Sequence, residues 1–140
     1  MGKVVVRVQI TRIYAPTPSA EYLIGLCVSD GKRELLEYLE NPSVAVYMAE
    51  DVGLVCVLET PDTIDLLDIA VHPDSRKRGI GRALVKMLVD TYNRDIMLEV
   101  RQSNLTAIAF YESLGFERIS VRKKYYSAPI EDALIYRRKV

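Results

Sequence analysis

The stretch that decides the fold is VHPDSRKRGIGRALVKML, residues 71–88. Apolar residues at positions 80, 83, 84, 87 and 88 lie on one face of a helix, while Arg82, Lys86 and Asp90 follow at intervals of four on the other. The pattern predicts a helix from residue 80 onward, directly after a turn rich in glycine and cations. The glycines are Gly79 and Gly81, and the cations are Arg76, Lys77, Arg78 and Arg82.

This turn has the features of an anion site. The start of a helix presents free backbone N–H groups, and the helix dipole favours negative charge there. Gly79 and Gly81 let the backbone approach a pyrophosphate without a Cβ in the way, and arginine adds charge-assisted hydrogen bonds. The spacing matches neither GxGxxG nor the GxxxxGK(S/T) loop. Spacing alone therefore leaves two interpretations open: a phosphate-binding turn, or an ordinary turn with surface cations.

Length and composition limit the classes of function. The chain has 140 residues, 49% apolar and 27% charged, which predicts one soluble globular domain over residues 1–140. Because 19 basic residues balance 19 acidic ones, a general attraction to nucleic acid or anionic membrane has no support. We find neither an apolar run of the roughly 18 residues that a membrane span needs nor a signal-peptide core, and expect a cytoplasmic protein.

The cysteines and the single histidine do not predict a reactive centre. Cys27 and Cys56 have no CxxC spacing and no neighbouring histidine, so we expect two buried free thiols and no metal or redox site. His72 precedes Pro73 and has neither ligand nor triad spacing around it. A surface turn residue is the favoured interpretation of His72.

Hydrophobic periodicity and turn residues predict a mixed α/β chain. Antiparallel strands come first, including a hairpin of residues 44–50 and 53–58, and a strand, helix, strand, helix order follows. The other predicted strands are residues 3–13, 64–71, 96–101, 116–124 and 133–138, and the other predicted helices are residues 19–28, 32–39 and 104–114.

Several ordered motifs resemble a known family. RKRGIG, residues 76–81, resembles the (Q/R)xxGx(G/A) acetyl-CoA signature of the GCN5-related N-acetyltransferases (GNAT), and LEVRQSNLTAIAFYESLGF, residues 98–116, resembles their second conserved region. Together with RKKYY and EDA further on, the second region is similar to the protein N-terminal acetyltransferases, including the ribosomal-protein-alanine type. The resemblance runs from about Asp65 to the C-terminus.

The resemblance implies a fold and a cofactor. The family fold is a mostly antiparallel, V-shaped, splayed sheet of about six to seven strands with helices on both faces. Acetyl-CoA lies in the splay between the fourth and fifth strands, here residues 64–71 and 96–101, and no metal is implied. The pantetheine arm would meet strand backbone, and the pyrophosphate would meet the glycine turn. The implied cofactor-binding residues are Ile69, Ala70, Val71, Arg76, Lys77, Arg78, Gly79, Ile80, Gly81, Arg82, Asn104 and Tyr111.

Glu99 is the candidate general base. In MLEVR, period two places Met97, Glu99 and Arg101 on one strand face, away from an apolar layer. The residues alone favour an exposed glutamate paired with Arg101. The resemblance implies instead that Glu99 takes a proton from the attacking amine through water. An α-amine, whose pKa is about 8, depends less on a base than a lysine side chain does, whose pKa is about 10.4.

Tyr111 is the candidate acid. It shares a helical stripe with Asn104 and Ile108, and a core tyrosine with a satisfied hydroxyl is the other interpretation. The resemblance implies that Tyr111 lies beside the sulfur and that Asn104 touches the pantetheine. Full proton transfer from a phenol to a thiolate is uphill by about 1.5 pKa units, roughly 2 kcal/mol, so hydrogen bonding matters as much. The implied oxyanion donor is a backbone N–H near Val71.

The acceptor side rests on fewer residues. Tyr125 and Tyr126, with Glu131 and Asp132, resemble the loop that covers the peptide acceptor in N-terminal acetyltransferases, although paired tyrosines are also common in strands. The stretch YAPTPSAEYLIGLCVSDG, residues 14–31, stands where the family's first helices supply the other wall. No substrate residue is predicted there.

The predicted function is acetyl transfer from acetyl-CoA to the N-terminal α-amine of a protein or peptide, in which a ribosomal protein is one candidate acceptor. Both cysteines lie outside the motifs, which favours direct attack in a ternary complex over an acyl-enzyme. Two alternatives stay open: transfer to a small-molecule amine or a lysine side chain, and a non-catalytic domain that binds acetyl-CoA or a partner. The sequence leaves the oligomeric state open.

Overall fold

Seven strands and four helices follow one another in the computed structural model, which describes residues 7–140. They are β1 (Ile10–Ile13), α1 (Pro18–Gly25), α2 (Gly31–Glu40), β2 (Val44–Ala49), β3 (Gly53–Glu59), β4 (Thr63–Val71), a short 3-10 turn (Pro73–Ser75), α3 (Ile80–Tyr92), β5 (Asp95–Arg101), α4 (Leu105–Ser113), β6 (Glu117–Ser127) and β7 (Ile130–Arg138). No helix in residues 7–140 is long and apolar enough to cross a membrane.

The strands form one open sheet in the order β1-β2-β3-β4-β5-β7-β6. Every neighbouring pair is antiparallel except β4 and β5, which run parallel. The parallel pair shares only three residue pairs, from Thr63 with Asp95 to Asp65 with Met97. Beyond these pairs the two strands part, so the sheet opens between them. The predicted mostly antiparallel, splayed sheet is confirmed.

Helices cover both faces of the sheet because each face of the strands is apolar. Leu84 and Leu88 of α3 are fully buried in one cluster with Ile64 of β4 and Ile96 of β5. Leu35 of α2 is fully buried in a second cluster on the opposite face, with residues of α1, β2 and β3. Each such leucine contributes about 1.5–3 kcal/mol of apolar burial. One cluster packs α3 and α4 on one face of the sheet at the splay between β4 and β5. The other cluster packs α1 and α2 on the opposite face.

Element boundaries differ from the sequence-based expectation at the two ends of the chain. Of the strand predicted over residues 3–13, residues 3–6 lie outside the described residues, and the described part is strand only over Ile10–Ile13. Helix α1 ends at Gly25, three residues early, and Gly31 then packs against it so closely that a Cβ there would lie 2.5 Å from the Glu21 carbonyl oxygen. At the other end, β6 and β7 extend to Ser127 and Ile130, so the hairpin is longer than predicted.

Three carboxyl groups in strands β5 and β7 predict that the fold loses stability in acid. Hydrogen bonds hold the pKa values of Asp95, Glu131 and Asp132 below the ordinary values. For Asp95, the bond from the Val140 N–H contributes most, and the bond from Arg137 comes next. A lowered pKa in the folded state adds stability above the unfolded-state pKa, and this stability is lost as pH falls through the lower folded value.

We therefore expect Asp95→Asn to lower the melting temperature at pH 7. The difference from the unmodified chain should begin to shrink as pH falls below the unfolded-state pKa near 4, and it should close only below the still lower folded-state pKa of Asp95. Thermal unfolding measured between pH 7 and pH 3 checks this. A constant difference across that range would contradict the assignment of the stabilisation to the Asp95 charge.

Candidate functional site

The turn before α3 presents backbone to solvent at a helix N-terminus. Lys77 and Gly79 both have left-handed backbones, with φ of 63° and 80°, and Gly79 is the residue that precedes α3. Among residues 7–140, no side chain caps this helix, so its first N–H groups are open to a ligand. Gly81 is favoured for a different reason: a Cβ there would lie 3.1 Å from Cζ of Phe110 in α4, a tight contact that the phenylalanine ring would have to relieve by shifting. The chain thus brings α3 and α4 together beside an uncapped helix start.

The four cations of the turn are exposed and carry uncompensated charge. None of Arg76, Lys77, Arg78 and Arg82 forms an ion pair with any residue that the structure describes. The Arg76 Nε donates to the Val71 carbonyl oxygen at 3.2 Å. The turn can therefore bind an anion, in line with the first of the two interpretations that spacing alone left open.

The end of β4 turns toward the splay peptide groups that no neighbouring strand pairs. The N–H of His72 donates at 2.7 Å to the carbonyl oxygen of Val52, the residue before β3, and peptide groups alternate sides along a strand. Those of Ile69 and Val71 therefore face the splay, where β4 has no partner strand. The same alternation directs the peptide groups of Ala70 to β3, and its side chain lies in the α1 and α2 cluster. Of the three residues predicted here, two face the splay.

A β-bulge in β4 lies beside the point where the strands part. Val57 pairs with Leu66 and Cys56 pairs with Asp68, so Leu67 has no opposite residue. Bulges re-aim side chains and are frequent next to active sites. The sequence carried a signal for it, because the apolar alternation changes phase at the adjacent residues Leu66 and Leu67. Our reading of that run as a plain strand missed the bulge.

Glu99 lies on the face of β5 that the sequence predicted. Its neighbours Leu98 and Val100 are buried in the α3 cluster, and the Glu99 side chain points to the opposite face with 33% of its surface exposed. The expected pairing of Glu99 with Arg101 is wrong. Glu99 instead pairs with Arg122, whose Nη1 lies 3.2 Å from Oε1 and reaches across β7 from β6.

A cleft of about 900 Å³ opens in front of Glu99. Strands β4, β5, β6 and β7 and helix α2 line it, and the lining residues that matter here are Tyr38, Asp65, Leu67, Glu99, Arg122, Tyr125 and Tyr126. The two tyrosine rings meet edge to face, with centroids 5.1 Å apart. Hydrogen bonding and negative charge from Glu99 raise the pKa of the Tyr125 hydroxyl. The structure thus brings Glu99, Tyr125 and Tyr126 together in one cleft.

The other wall of this cleft comes from residues that the sequence left unassigned. Tyr38 of α2 lines the cleft and donates from its hydroxyl to Asp68 Oδ2 at 2.6 Å. Burial raises the pKa of Asp68, although the bond from Tyr38 opposes that shift. Burial and then the bond to Asp68 raise the pKa of Tyr38. Nothing in the sequence of α2 distinguishes Tyr38 from an ordinary residue of an amphipathic helix.

Tyr111 is a core residue whose hydroxyl remains available. It is 7% exposed, and its ring packs against Phe110 and Phe116 with centroids 5.4 and 5.5 Å away. Its hydroxyl forms no hydrogen bond with any other residue that the structure describes, and no buried side-chain polar atom in residues 7–140 lacks a partner. Burial, followed by the negative charges of Cys27 and Asp68, raises the pKa of Tyr111. The phenol stays protonated at neutral pH.

Asn104 precedes α4 and caps it. The Asn104 Oδ1 accepts from the Ala107 N–H at 3.2 Å. The oxygen therefore serves the helix, and the side-chain amide nitrogen is the group left for a ligand.

Cys27 contradicts the expectation of two buried thiols. Cys56 is buried, whereas Cys27 is an exposed residue in the loop after α1. Its thiol turns inward and donates to the Ile69 carbonyl oxygen at 3.6 Å, on the strand that borders the splay. Burial of the thiol and then the charge of Asp68 raise the pKa of Cys27 to about 11. The sequence carried no signal for this position, because Cys27 belongs to no motif.

His72 has a structural role in the turn after β4. Its Nδ1 accepts from the Asp74 N–H at 3.1 Å, and its ring lies 5.3 Å from that of Tyr22 in α1. The expected turn residue is therefore found, with a packing partner that the sequence did not indicate. Within residues 7–140, no three His, Cys, Asp or Glu side chains gather as they would around a metal ion.

Comparison with known proteins yields consistent relatives. The sequence profile described as the Acetyltransferase (GNAT) family matches residues 9–116. The ribosomal protein bS18-alanine N-acetyltransferase of Escherichia coli K12 is 38% identical over 114 residues, which is 76% of this chain and 72% of that protein.

Two solved structures add to this. The ribosomal-protein-S18-alanine N-acetyltransferase of E. coli has a TM-score of 0.75 at 27% identity, covering 94% of both chains. A GNAT family acetyltransferase from Elizabethkingia anophelis with acetyl-CoA bound has a TM-score of 0.79 at 20% identity, covering 95% of this chain and 98% of that one. At that identity the likeness shows the fold.

Proposed function

Because this chain belongs to the GNAT family and is an acetyl-CoA-dependent N-acetyltransferase, we propose that it acetylates the N-terminal α-amine of a protein or peptide. The observation that carries the proposal is the cleft of about 900 Å³ in front of Glu99. Its volume lies in the range of roughly 300–1,000 Å³ in which ligands are enclosed, and it is open enough to admit the end of a peptide chain. The named activity of the E. coli relative supports the same acceptor class, with a ribosomal protein as one candidate.

We assign the donor side to the splay and the turn before α3. The uncapped start of α3 and its unpaired cations suit a pyrophosphate, and the peptide groups of Ile69 and Val71 suit the amide groups of a pantetheine arm. The proposed acetyl-CoA-binding residues are those of the splay, the turn and α4: Ile69, Val71, Arg76, Lys77, Arg78, Gly79, Ile80, Gly81, Arg82, Asn104 and Tyr111. Ala70 contributes to acetyl-CoA binding only indirectly, as the β4 residue between Ile69 and Val71.

On the acceptor side, Glu99 takes the proton from the attacking amine, directly or through one water. Tyr125 and Tyr126 form the part of the cleft wall that contacts the first residues of the peptide. An α-amine with a pKa of about 8 is partly neutral at pH 7, so a carboxylate is a sufficient base for it. The lysine amine has a pKa of about 10.4, so its proton is much harder for the same carboxylate to remove.

The transfer is a direct attack within a ternary complex. The amine nitrogen forms a bond to the acetyl carbon, the carbon–sulfur bond breaks, and the thiolate leaves beside the Tyr111 hydroxyl, which donates a hydrogen bond to it. A backbone N–H of β4 near Val71 stabilises the oxyanion. An acyl-enzyme has little support, because a Cys27 pKa of about 11 leaves the thiol protonated and weakly nucleophilic at neutral pH.

The test is release of CoA from acetyl-CoA across a panel of short peptides that vary in their first two residues. One peptide carries a blocked N-terminus and an internal lysine, and one small polyamine serves as a further acceptor. We expect turnover only with free N-termini and a strong dependence on the first two residues. Turnover confined to the blocked lysine peptide or the polyamine would overturn the proposed acceptor while leaving the donor side intact.

A further inference from the structure

We infer that Arg101 is a positioning residue that holds the β6–β7 hairpin, and with it Tyr126, over the acceptor cleft. This inference rests on the proposed function, since it concerns how that cleft is kept in shape. Arg101 lies two residues beyond Glu99 on the same face of β5. One strand would thus carry both the proposed base and the anchor of the acceptor wall.

Strand β7 is buried over Ala133–Tyr136, but β6 and the turn of the hairpin have few apolar contacts that could hold them in place. Strand β6 is the last strand of the sheet, and Tyr126 is the one residue of Glu117–Ser127 that is not exposed. Its pairing with β7 is also interrupted between Arg122 and Tyr126. An edge strand with an irregular ladder and no buried apolar side chain depends on other contacts for its position.

Arg101 supplies such contacts to the turn of the hairpin. Its Nη1 donates to Glu131 Oε2 at 3.0 Å and to the Pro129 carbonyl oxygen at 3.2 Å. The second oxygen of Glu131 accepts from the Ser103 N–H at 3.0 Å. Glu131 is therefore bonded twice to the end of β5 and the residues after it, and 17% of its side chain is exposed. An ion pair so shielded, with three hydrogen bonds, is more ordered than an ordinary surface pair.

The same guanidinium packs on the substrate-side tyrosine. The Arg101 Cζ lies 4.2 Å from the centroid of the Tyr126 ring, which is a close cation–π distance. Tyr126 in turn meets Tyr125 edge to face. A continuous line of contacts thus runs from the hairpin turn through Arg101 to both tyrosines of the cleft. Lysine cannot reproduce it, because an ammonium group lacks the planar fork that binds the carboxylate and stacks on the ring together.

The experiment compares Arg101→Gln and Arg101→Lys with Lys123→Gln in the full chain. Lys123 is the matched control, because its exposed side chain forms a 3.1 Å ion pair with Asp132 in the same hairpin and does not line the cleft. For Arg101→Gln we expect the KM for a reactive peptide to rise by about tenfold while kcat changes less, because both the ion pair and the ring contact are lost. The dissociation constant for acetyl-CoA should be unchanged, and amide hydrogen exchange over residues 124–130 should be faster.

The variants separate the possible outcomes. Arg101→Lys should recover part of the peptide KM, and Lys123→Gln should match the unmodified chain. Equal peptide KM and equal hydrogen exchange in Arg101→Gln and Lys123→Gln would overturn the inference. If the unmodified chain acetylates no peptide, the proposed function fails, and hydrogen exchange alone still tests the anchor. If Arg101→Gln does not fold, the exchange rates of Arg101→Lys decide.

Discussion

Glu99→Gln is expected to lower kcat/KM for a peptide acceptor by about 10²- to 10⁴-fold at pH 7, the range for loss of a positioned general base. The substitution keeps the shape of the side chain, which lies 3.2 Å from Arg122, and removes the charge that would take the proton. The dissociation constant for acetyl-CoA should stay the same, because Glu99 is not among the proposed acetyl-CoA-binding residues. Steady-state rates of CoA release, with acetyl-CoA titration in parallel, measure both quantities.

The pH dependence of Glu99→Gln adds a second check. As pH rises through the α-amine pKa of about 8, more of the acceptor is already neutral, so the deficit of the variant should shrink. Glu117→Gln is the matched control, because Glu117 is an exposed glutamate at the start of β6, away from the cleft in front of Glu99. Unchanged turnover in Glu99→Gln at pH 7 would remove Glu99 as the base.

Tyr111→Phe is expected to lower kcat by about 10- to 100-fold, somewhat less than loss of an oxyanion-hole donor, with a small effect on the KM for acetyl-CoA. The phenol donates to the departing thiolate in our proposal, and phenylalanine cannot. Because the pKa of Tyr111 is raised, complete proton transfer is even less favourable than for an ordinary tyrosine, so we assign it the role of a hydrogen-bond donor. Rates of CoA release measure the effect.

Stability distinguishes this role from simple packing. The Tyr111 ring packs on Phe110 and Phe116, and phenylalanine preserves those contacts. The hydroxyl bonds to no other described residue, so the melting temperature should change little. Tyr14→Phe is the control, because Tyr14 is 77% exposed and lies before α1. Unchanged kcat in Tyr111→Phe would leave Tyr111 as a core aromatic alone, the other interpretation that the sequence allowed.

The elements that the sequence predicted best are those whose signal is local. Helix α3 follows from the spacing of its apolar residues, and the turn before it follows from Gly79 and Gly81. Both signals are local, because a period of 3.6 and a left-handed backbone, as at Gly79, are properties of short segments. Period two likewise placed Glu99 on the face opposite Leu98. The bulge at Leu67 was also encoded locally, in the change of apolar phase, and was missed because adjacent leucines are compatible with an unbroken strand.

What only the tertiary structure decided is which distant residues meet. Arg122 reaches Glu99 across an intervening strand, and Arg101 pairs with Glu131 instead. Tyr38 joins the cleft from α2, and the Cys27 thiol turns to Ile69. Each of these contacts joins residues far apart in the chain, and the Arg122 contact depends on a strand order in which β7 lies between β5 and β6. Local periodicity specifies the face of an element but not its neighbour, because the neighbour is set by the packing of both apolar clusters on the sheet.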